Sequence, residues 1–279
     1  MTSQTIIHRT TGAVLFEMEA ETLKEALERA VAVESHHGAD LKCANLHGAD
    51  LQGADLQGAQ LQGANLRDAK LRNANLHGAD LYASDLYASD LQDAKLQGAN
   101  IQGADLRFAK LRGADLQGAD LHRADLHRAD LHGAKLQGAD LRDANLYGAD
   151  LKGAKLQGAK LWCANLQGAD LHKVNFQDAK LQGANLRAAN LYGADLQGAK
   201  LRCADLRDAN LQGAKLRDAK LRGANLQSAD LQGADLRFAK LQGADLRDAN
   251  LRDAKLQGAD LRFANLQNAN LQNATEDAS

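Results

Sequence analysis

The chain of 279 residues contains no proline, and aromatic residues make up only 4% of it. A core built around Phe, Tyr and Trp is therefore excluded. The 3 cysteines are too few and too scattered for a disulfide framework, which favours a reducing compartment. No apolar run approaches the length of a membrane span, and the N-terminus lacks the apolar core of a signal peptide. We therefore predict a cytoplasmic protein that makes no membrane contact.

The chain also has no excess of positive or of negative charge. The chain has 34 Lys and Arg against 36 Asp and Glu, for a formal net charge of −2. A protein that binds nucleic acid or membranes by bulk electrostatics carries a large net charge. The composition as a whole therefore argues against that mechanism.

What the chain has in abundance is a five-residue repeat. From Leu41 to Leu271 every fifth residue is Leu except Ile101 and Phe176, so 45 of 47 positions are Leu. Ala stands two residues earlier in 44 of the 47 repeats, with Asp, Asn or Lys between them in all but one. The unit is A-[D/N/K]-L-x-x, and nothing interrupts it. A repeat this short and regular predicts a solenoid.

A period of five excludes both continuous regular structures. Residues five apart on an α-helix lie about 140° apart around its axis, so successive leucines would form no face. In a flat strand they would point to alternate sides. Each pentapeptide must contain its own bend, and equal bends of about a right angle close a coil after about four units. The sequence thus predicts an all-β solenoid of about 12 coils, with every Leu directed inwards.

The unbroken A-D-L-x-x and A-N-L-x-x units resemble the pentapeptide repeat family over most of the chain. The resemblance implies a right-handed, four-sided parallel β-helix with Leu at the centre of each pentapeptide. It also implies a possible target, because some members mimic B-form DNA and inhibit or protect DNA gyrase. This chain departs from those members, since beyond residue 38 it has 31 basic and 30 acidic residues. It also lacks the loop insertions that several quinolone-protecting relatives use.

The N-terminal segment has a different pattern. Thr5–Arg9 and Ala13–Glu19 are typical of a β-hairpin, and Thr22 with Glu25 forms a capping box that opens a helix ending near residues 33–35. An open solenoid end exposes apolar core and unpaired strand edges, which a cap would cover. A partner-binding or oligomerising module is the alternative. The predicted segments are a hairpin-helix cap at 1–38, a solenoid at 39–274 and a polar tail at 275–279.

The C-terminal end has no comparable module. Four leucines would line the last coil, and only a short polar segment follows them: Leu256, Leu261, Leu266 and Leu271. This pattern predicts a homodimer through the uncapped end. The gyrase-binding members of the family that the chain resembles dimerise at this end, but through apolar segments that are missing here.

Few departures from the repeat offer candidates for catalysis or metal binding. His122, His127 and His132 follow one another at five-residue spacing, so on a four-sided coil they lie on three different faces. The cysteines share one column but fit no zinc pattern. No nucleophile, phosphate-loop or dinucleotide motif occurs. We therefore predict no enzymatic activity, no cofactor and no metal site.

The outward residues are the remaining place for a function. Sorted by 20-residue columns, one column becomes basic and has further large side chains beside it: Lys160, Lys180, Lys200, Lys220 and Lys240, with Arg202, Arg222 and Trp162. Like charges stacked on neighbouring strands repel each other unless acids offset them, and Asp178 and Asp218 are candidates for that role. The column is either a tolerated charge ladder or an interaction patch.

Three functions remain open on this evidence. The first, which the sequence favours, is a non-catalytic structural or protein-interaction rod with an unknown protein partner. The second is binding to DNA gyrase as a DNA mimic, with topoisomerase inhibition or quinolone protection as the result. The third is binding of an anionic partner or nucleic acid along Lys160–Lys240.

Overall fold

The computed structural model describes residues 2–7, 10–33 and 40–275. It divides into two compact units, Met1–Asp140 and Leu141–Ser279. The first unit begins with two strands and a helix, which are β1 (Thr2–Ile7), β2 (Val14–Ala20) and α1 (Leu23–Val33). From residue 40 to residue 275, both units consist of pentapeptide coils.

Strands β1 and β2 form an antiparallel hairpin. β1 begins at Thr2, three residues before the strand predicted from the sequence, because Thr2 pairs with Ala20 and extends the ladder. Gly12, in the connection, has a φ of +69°, a backbone conformation that glycine adopts without a steric penalty. The predicted end of the first strand at Arg9 lies outside the described residues.

Helix α1 begins with a shifted form of the predicted capping box. Thr22 Oγ1 accepts a hydrogen bond from the N–H of Glu25 at 3.1 Å, and the Glu25 carboxylate accepts one from the N–H of Glu21 at 2.8 Å. The helix packs against β2 and buries Ala26 and Leu27 completely. No helix in the described ranges has the length and apolar character that crossing a membrane requires.

The N-terminal segment supplies hydrogen-bond acceptors to the first coil. Asn45 donates its N–H to the carbonyl of Ile7 at 2.8 Å, and Asp55 donates its N–H to Glu28 Oε1 at 3.0 Å. One coil later the N–H of Asn65 finds its acceptor in a coil alanine, Ala44, at 2.8 Å. The segment therefore satisfies donors that would otherwise have no preceding coil to bind.

Each interior pentapeptide is hydrogen-bonded to neighbouring coils and closed by its own turn. Leu201 donates its N–H to the carbonyl of Lys220 at 2.8 Å, and Lys220 donates to that of Ala199 at 2.9 Å. The N–H of Cys203 donates to the carbonyl of Arg222 at 3.1 Å. Parallel bridges join residues 20 positions apart throughout each unit, so one coil takes four pentapeptides, as the sequence predicts.

The interior is filled by the repeated leucines and alanines, which are almost completely buried until the last coil, except for the half-buried Ala49. Burying one Leu stabilises the fold by roughly 1.5–3 kcal/mol. Phe176, which replaces a Leu, is also fully buried. Ser84 and Ser89 replace alanines, and their buried hydroxyls donate to the carbonyls of Leu81 and Leu86 at 2.8 and 2.7 Å. The substituted positions therefore keep a satisfied interior.

The second residue after each Leu adopts the left-handed conformation. Gly fills about half of these positions, yet Cys163 and Phe108 adopt it too, with φ of +55° and +60°. A non-glycine residue there costs roughly 1–2 kcal/mol. The hydrogen bonds to the next coil hold the geometry in place, so side chains as large as Phe are tolerated at the turn.

Candidate functional site

Arginines that follow an aspartate by two residues are neutralised within their own pentapeptide. Arg237 pairs with Asp235 at 2.6 Å, and Arg247 pairs with Asp245 at 2.6 Å. The Asp235 carboxylate also accepts the backbone N–H of Arg237 at 3.2 Å. Hydrogen bonding by Arg237 lowers the pKa of Asp235, and the same bond raises the pKa of Arg237. Both members therefore stay charged, and each offsets the other.

On one column of the second unit, Lys replaces that aspartate. Lys200 precedes Arg202 and Lys220 precedes Arg222, so neither arginine has a carboxylate in its own pentapeptide. Within the described part of the chain, none of these four side chains forms an ion pair, and the same is true of Lys240. Five cations thus lie close together with no anionic partner among the residues that the structure describes.

These side chains line an open groove of about 480 Å³. We call it the basic groove, and its lining consists of Gln182, Lys200, Arg202, Lys220, Arg222, Lys240 and Gln242. Parallel bridges connect Lys200 to Lys220 and Lys220 to Lys240. Neighbouring strands lie about 4.8 Å apart, so the three lysines span roughly 10 Å. Arg202 and Arg222 are exposed, whereas Lys200 is half-buried.

The acids near the basic groove do not pair with its lysines in the described ranges. Asp218 pairs with Arg217 at 3.5 Å and lines a separate depression with Asp178. In the described ranges neither aspartate forms an ion pair with a lysine of the column. Asp260, at the end of the column, pairs with Arg262 at 2.7 Å, and that hydrogen bond lowers the pKa of its carboxyl. Asp260 therefore stays ionised, but its negative charge offsets that of Arg262 and not that of the lysine column.

The other predicted residues of the patch lie next to the groove. The Lys180 ammonium is 5.8 Å from the centre of the Trp162 ring, within cation–π range. The indole is still 38% exposed. Lys160 continues the backbone ladder to Lys180 but is not part of the groove lining. Sequence reasoning missed Gln182 and Gln242, although the 20-residue period places them in one column with Arg202.

The repeated leucines become more exposed towards the described C-terminal end. Leu256 is 3% exposed, Leu261 and Leu266 are half-buried, and Leu271 is 38% exposed. Phe263, which sequence reasoning did not include here, is 93% exposed. Most of the predicted polar tail, residues 276–279, lies outside the described residues. The described part of this end thus presents apolar side chains outwards.

An aromatic cluster in the first unit is already partnered. The Arg67 guanidinium lies 4.3 Å from the centre of the Tyr87 ring, and that of Arg107 lies 5.4 Å from it. Tyr87 also contacts Phe108 edge to face, with 5.5 Å between ring centres. Arg107 in turn pairs with Asp105 at 2.6 Å. The cluster neutralises and packs itself, unlike the basic groove.

Comparison with known proteins identifies the repeat. The family model for pentapeptide repeats matches eight copies, at residues 37–58, 49–87, 89–128, 124–162, 149–187, 189–227, 229–262 and 244–275. The curated proteins give no significant match.

Solved structures of pentapeptide repeat proteins are also similar. HetL, involved in heterocyst differentiation regulation in the cyanobacterium Nostoc sp. Strain PCC 7120, is 40% identical, over 77% of this chain and 90% of HetL, with a TM-score of 0.42. A trypsin-treated form of QnrB1, a plasmid-mediated fluoroquinolone resistance protein, is 21% identical, over 63% of this chain and 88% of QnrB1, with a TM-score of 0.58. The likeness to QnrB1 shows a shared β-helix fold. Because the family model matches well over half of the sequence, the chain belongs to the pentapeptide repeat family.

Proposed function

We propose that this chain is a non-catalytic interaction scaffold that presents its outward side chains to a protein partner. The observation that carries the proposal is a contrast between inside and outside. The interior is the same Leu and Ala packing in every coil, whereas the outward columns differ in charge. Contact through these columns needs no catalytic step, cofactor or metal.

The proposal includes the segment boundaries predicted from the sequence. Residues 1–38 cap a solenoid of about 12 right-handed coils at 39–274, and a polar tail follows at 275–279. The hydrogen bonds from Asn45 to Ile7 and from Asp55 to Glu28 support the cap, because they give the first coil its acceptors. A crystal structure of the full chain would establish the handedness and the number of coils.

Protein capture from nuclease-treated lysate tests the scaffold. The bait would be the full chain, compared with two variants that alter separate faces: Lys200→Gln with Lys220→Gln, and Asp245→Asn with Arg247→Gln. We expect a partner that one face variant loses and the other retains. Capture that is indifferent to both variants and to further face variants would contradict an interaction through the outward columns.

Binding to DNA gyrase is a second candidate. It is supported by the fold shared with QnrB1, a fluoroquinolone resistance protein. The basic groove counts against a DNA mimic, which needs a negative surface. A supercoiling assay with purified bacterial gyrase, with and without a fluoroquinolone, tests the candidate. Inhibition or protection by low-micromolar protein would support it, and no effect would leave a scaffold for another partner.

We also propose that two copies meet at the C-terminal end. Exposed Phe263 and Leu271 support this contact, because exposed apolar groups at one end gain from mutual burial. Light scattering on the full chain at micromolar concentration is expected to give a dimer mass, and Phe263→Asp a monomer. Phe238→Asp, which removes an exposed ring away from this end, should leave the dimer intact. A monomeric parent protein would overturn the contact.

A further inference from the structure

The basic groove brings five cationic side chains together on one face of the coils. The five cations that line it form no ion pair among the described residues: Lys200, Lys220, Lys240, Arg202 and Arg222. Elsewhere in the same unit, arginines such as Arg237 and Arg247 are paired with their own aspartates. Stacked like charges on neighbouring strands repel, so the groove gains stability from any anion that spans several coils.

The shape of the groove favours an extended anion. It is open along one side of the coils, whereas pockets for small molecules enclose most of the ligand surface. Its lysines repeat in a straight ladder along the bridges from Lys200 to Lys240. A ligand that neutralises the whole ladder must therefore carry several negative charges in a line.

The backbone of the groove excludes a peptide that binds by adding a strand. The N–H of Leu201 and the carbonyl of Lys220 bond to each other at 2.8 Å, and the N–H of Lys220 bonds to Ala199. Because coil-to-coil pairing uses these groups, a peptide finds no free strand edge to extend. A phosphodiester strand needs no such edge, since its oxygens accept hydrogen bonds from Lys and from the forked Arg guanidinium.

An exposed aromatic ring lies at one end of the same column. Trp162 precedes Gln182 by one coil and is 38% exposed. Proteins that bind single-stranded nucleic acid combine a basic groove for the backbone with aromatic rings on which bases stack. We propose that the basic groove binds a single strand of nucleic acid, with its phosphates on the lysine ladder and a base against Trp162. This inference goes beyond the scaffold and does not depend on a protein partner.

Fluorescence anisotropy with the full chain and a labelled thymidine oligonucleotide of about 12 nucleotides tests the inference. Five phosphate contacts predict a slope of about −3.5 for the logarithm of the binding constant against that of the salt concentration. Trp162 is the single tryptophan of the chain, so its intrinsic fluorescence reports on stacking directly. We expect quenching that saturates together with the anisotropy.

Three variants divide the interaction into its parts. Lys200→Gln with Lys220→Gln should weaken binding at least about tenfold and reduce the size of the slope by about 1.4. Lys215→Gln with Arg217→Gln removes the same charge where the cations are already paired with Asp195 and Asp218, and it should change binding less than about twofold. Trp162→Leu should weaken binding severalfold and leave the slope unchanged.

Several results would overturn the inference. One is the absence of saturable binding at about 50 mM salt. Another is an equal loss in the groove variant and in its control. A third is polyglutamate or inorganic polyphosphate of the same charge binding as tightly as the oligonucleotide, since the groove would then be a general anion-binding surface. Tighter binding of a duplex without Trp162 quenching would exclude the single strand. The capture experiment uses nuclease-treated lysate and therefore tests only the protein partner. A negative result there is distinguishable from a negative result with the oligonucleotide.

Discussion

Two kinds of pentapeptide in the second unit differ at the residue before Leu and have opposite surface charges. In Asp235-Leu236-Arg237 the arginine is tied to its own aspartate at 2.6 Å. In Lys200-Leu201-Arg202 the same arginine position has no ion pair within the described ranges. The leucine between them is fully buried in both. The residue before Leu therefore decides whether a positive charge is neutralised locally or offered to a partner, at no cost to the interior.

A third pentapeptide refines this comparison. Arg217 follows Lys215, yet it pairs with Asp218, the next residue, at 3.5 Å. An acid at the turn position can thus replace the acid before Leu. In the basic groove both places lack an acid, because Cys203 and Gly223 occupy the turn positions after Arg202 and Arg222. Arg202 and Arg222 keep their positive charge unpaired in the described ranges because an acid is missing both before Leu and at the turn.

The largest effect is expected in the shared interior. Leu201→Ala and Leu236→Ala each remove a buried side chain and should lower the free energy of unfolding by about 2–5 kcal/mol. Because both leucines occupy the same position of the repeat and are fully buried, the two losses should be of similar size. Urea unfolding followed by circular dichroism measures both. A much smaller loss of stability at Leu201 would mean that the core under the groove is packed differently from the core under Arg237.

Replacing the groove lysines by aspartates should give pentapeptides in which each arginine pairs with its own aspartate. Lys200→Asp with Lys220→Asp gives Arg202 and Arg222 the aspartates that they lack. We expect oligonucleotide affinity to fall by about a hundredfold or more, since the net charge of the groove falls by four units and two arginines become paired. Anisotropy measures the loss, and thermal unfolding should show no destabilisation. Affinity that survives this reversal would place the binding elsewhere.

Cys203→Asp imitates the Asp218 arrangement and should have a smaller effect. The turn already accommodates Asp, since Asp218 and Cys203 have nearly equal φ of +59° and +57°. The new carboxylate should pair with Arg202, lower the affinity severalfold and reduce the size of the salt slope by about 0.7. Ser228→Asp makes the same change of charge on another column as a control. An unchanged slope would remove Arg202 from the contacts.

The smallest effect concerns acid stability. The lowered pKa of Asp235 means that its ion pair stabilises the fold above the unfolded pKa of about 3.9, and that this contribution disappears as pH falls through the lowered value. Arg237→Gln should therefore lower the thermal midpoint slightly at pH 7, and the difference should close in strong acid. Arg222→Gln should show no such dependence on pH, because Arg222 has no carboxylate partner in the described part of the chain. Equal pH profiles for the two variants would contradict the comparison.

The described ends of the chain show where sequence patterns were sufficient and where they were not. The capping box at Thr22 was predictable because it depends on residues three positions apart. The start of β1 at Thr2 was not, because it depends on pairing with Ala20, which is distant in sequence.

The sequence by itself determined the family, the coil of four pentapeptides and the column of lysines. It could do so because a fixed period and inward leucines leave one way to bury the apolar side chains. Only the tertiary structure decided which charges meet. Asp218, a candidate from the sequence for offsetting the lysine column, pairs instead with Arg217 at 3.5 Å. Side-chain pairing on a regular surface is a choice among nearby partners of similar energy, so the repeat alone does not specify it.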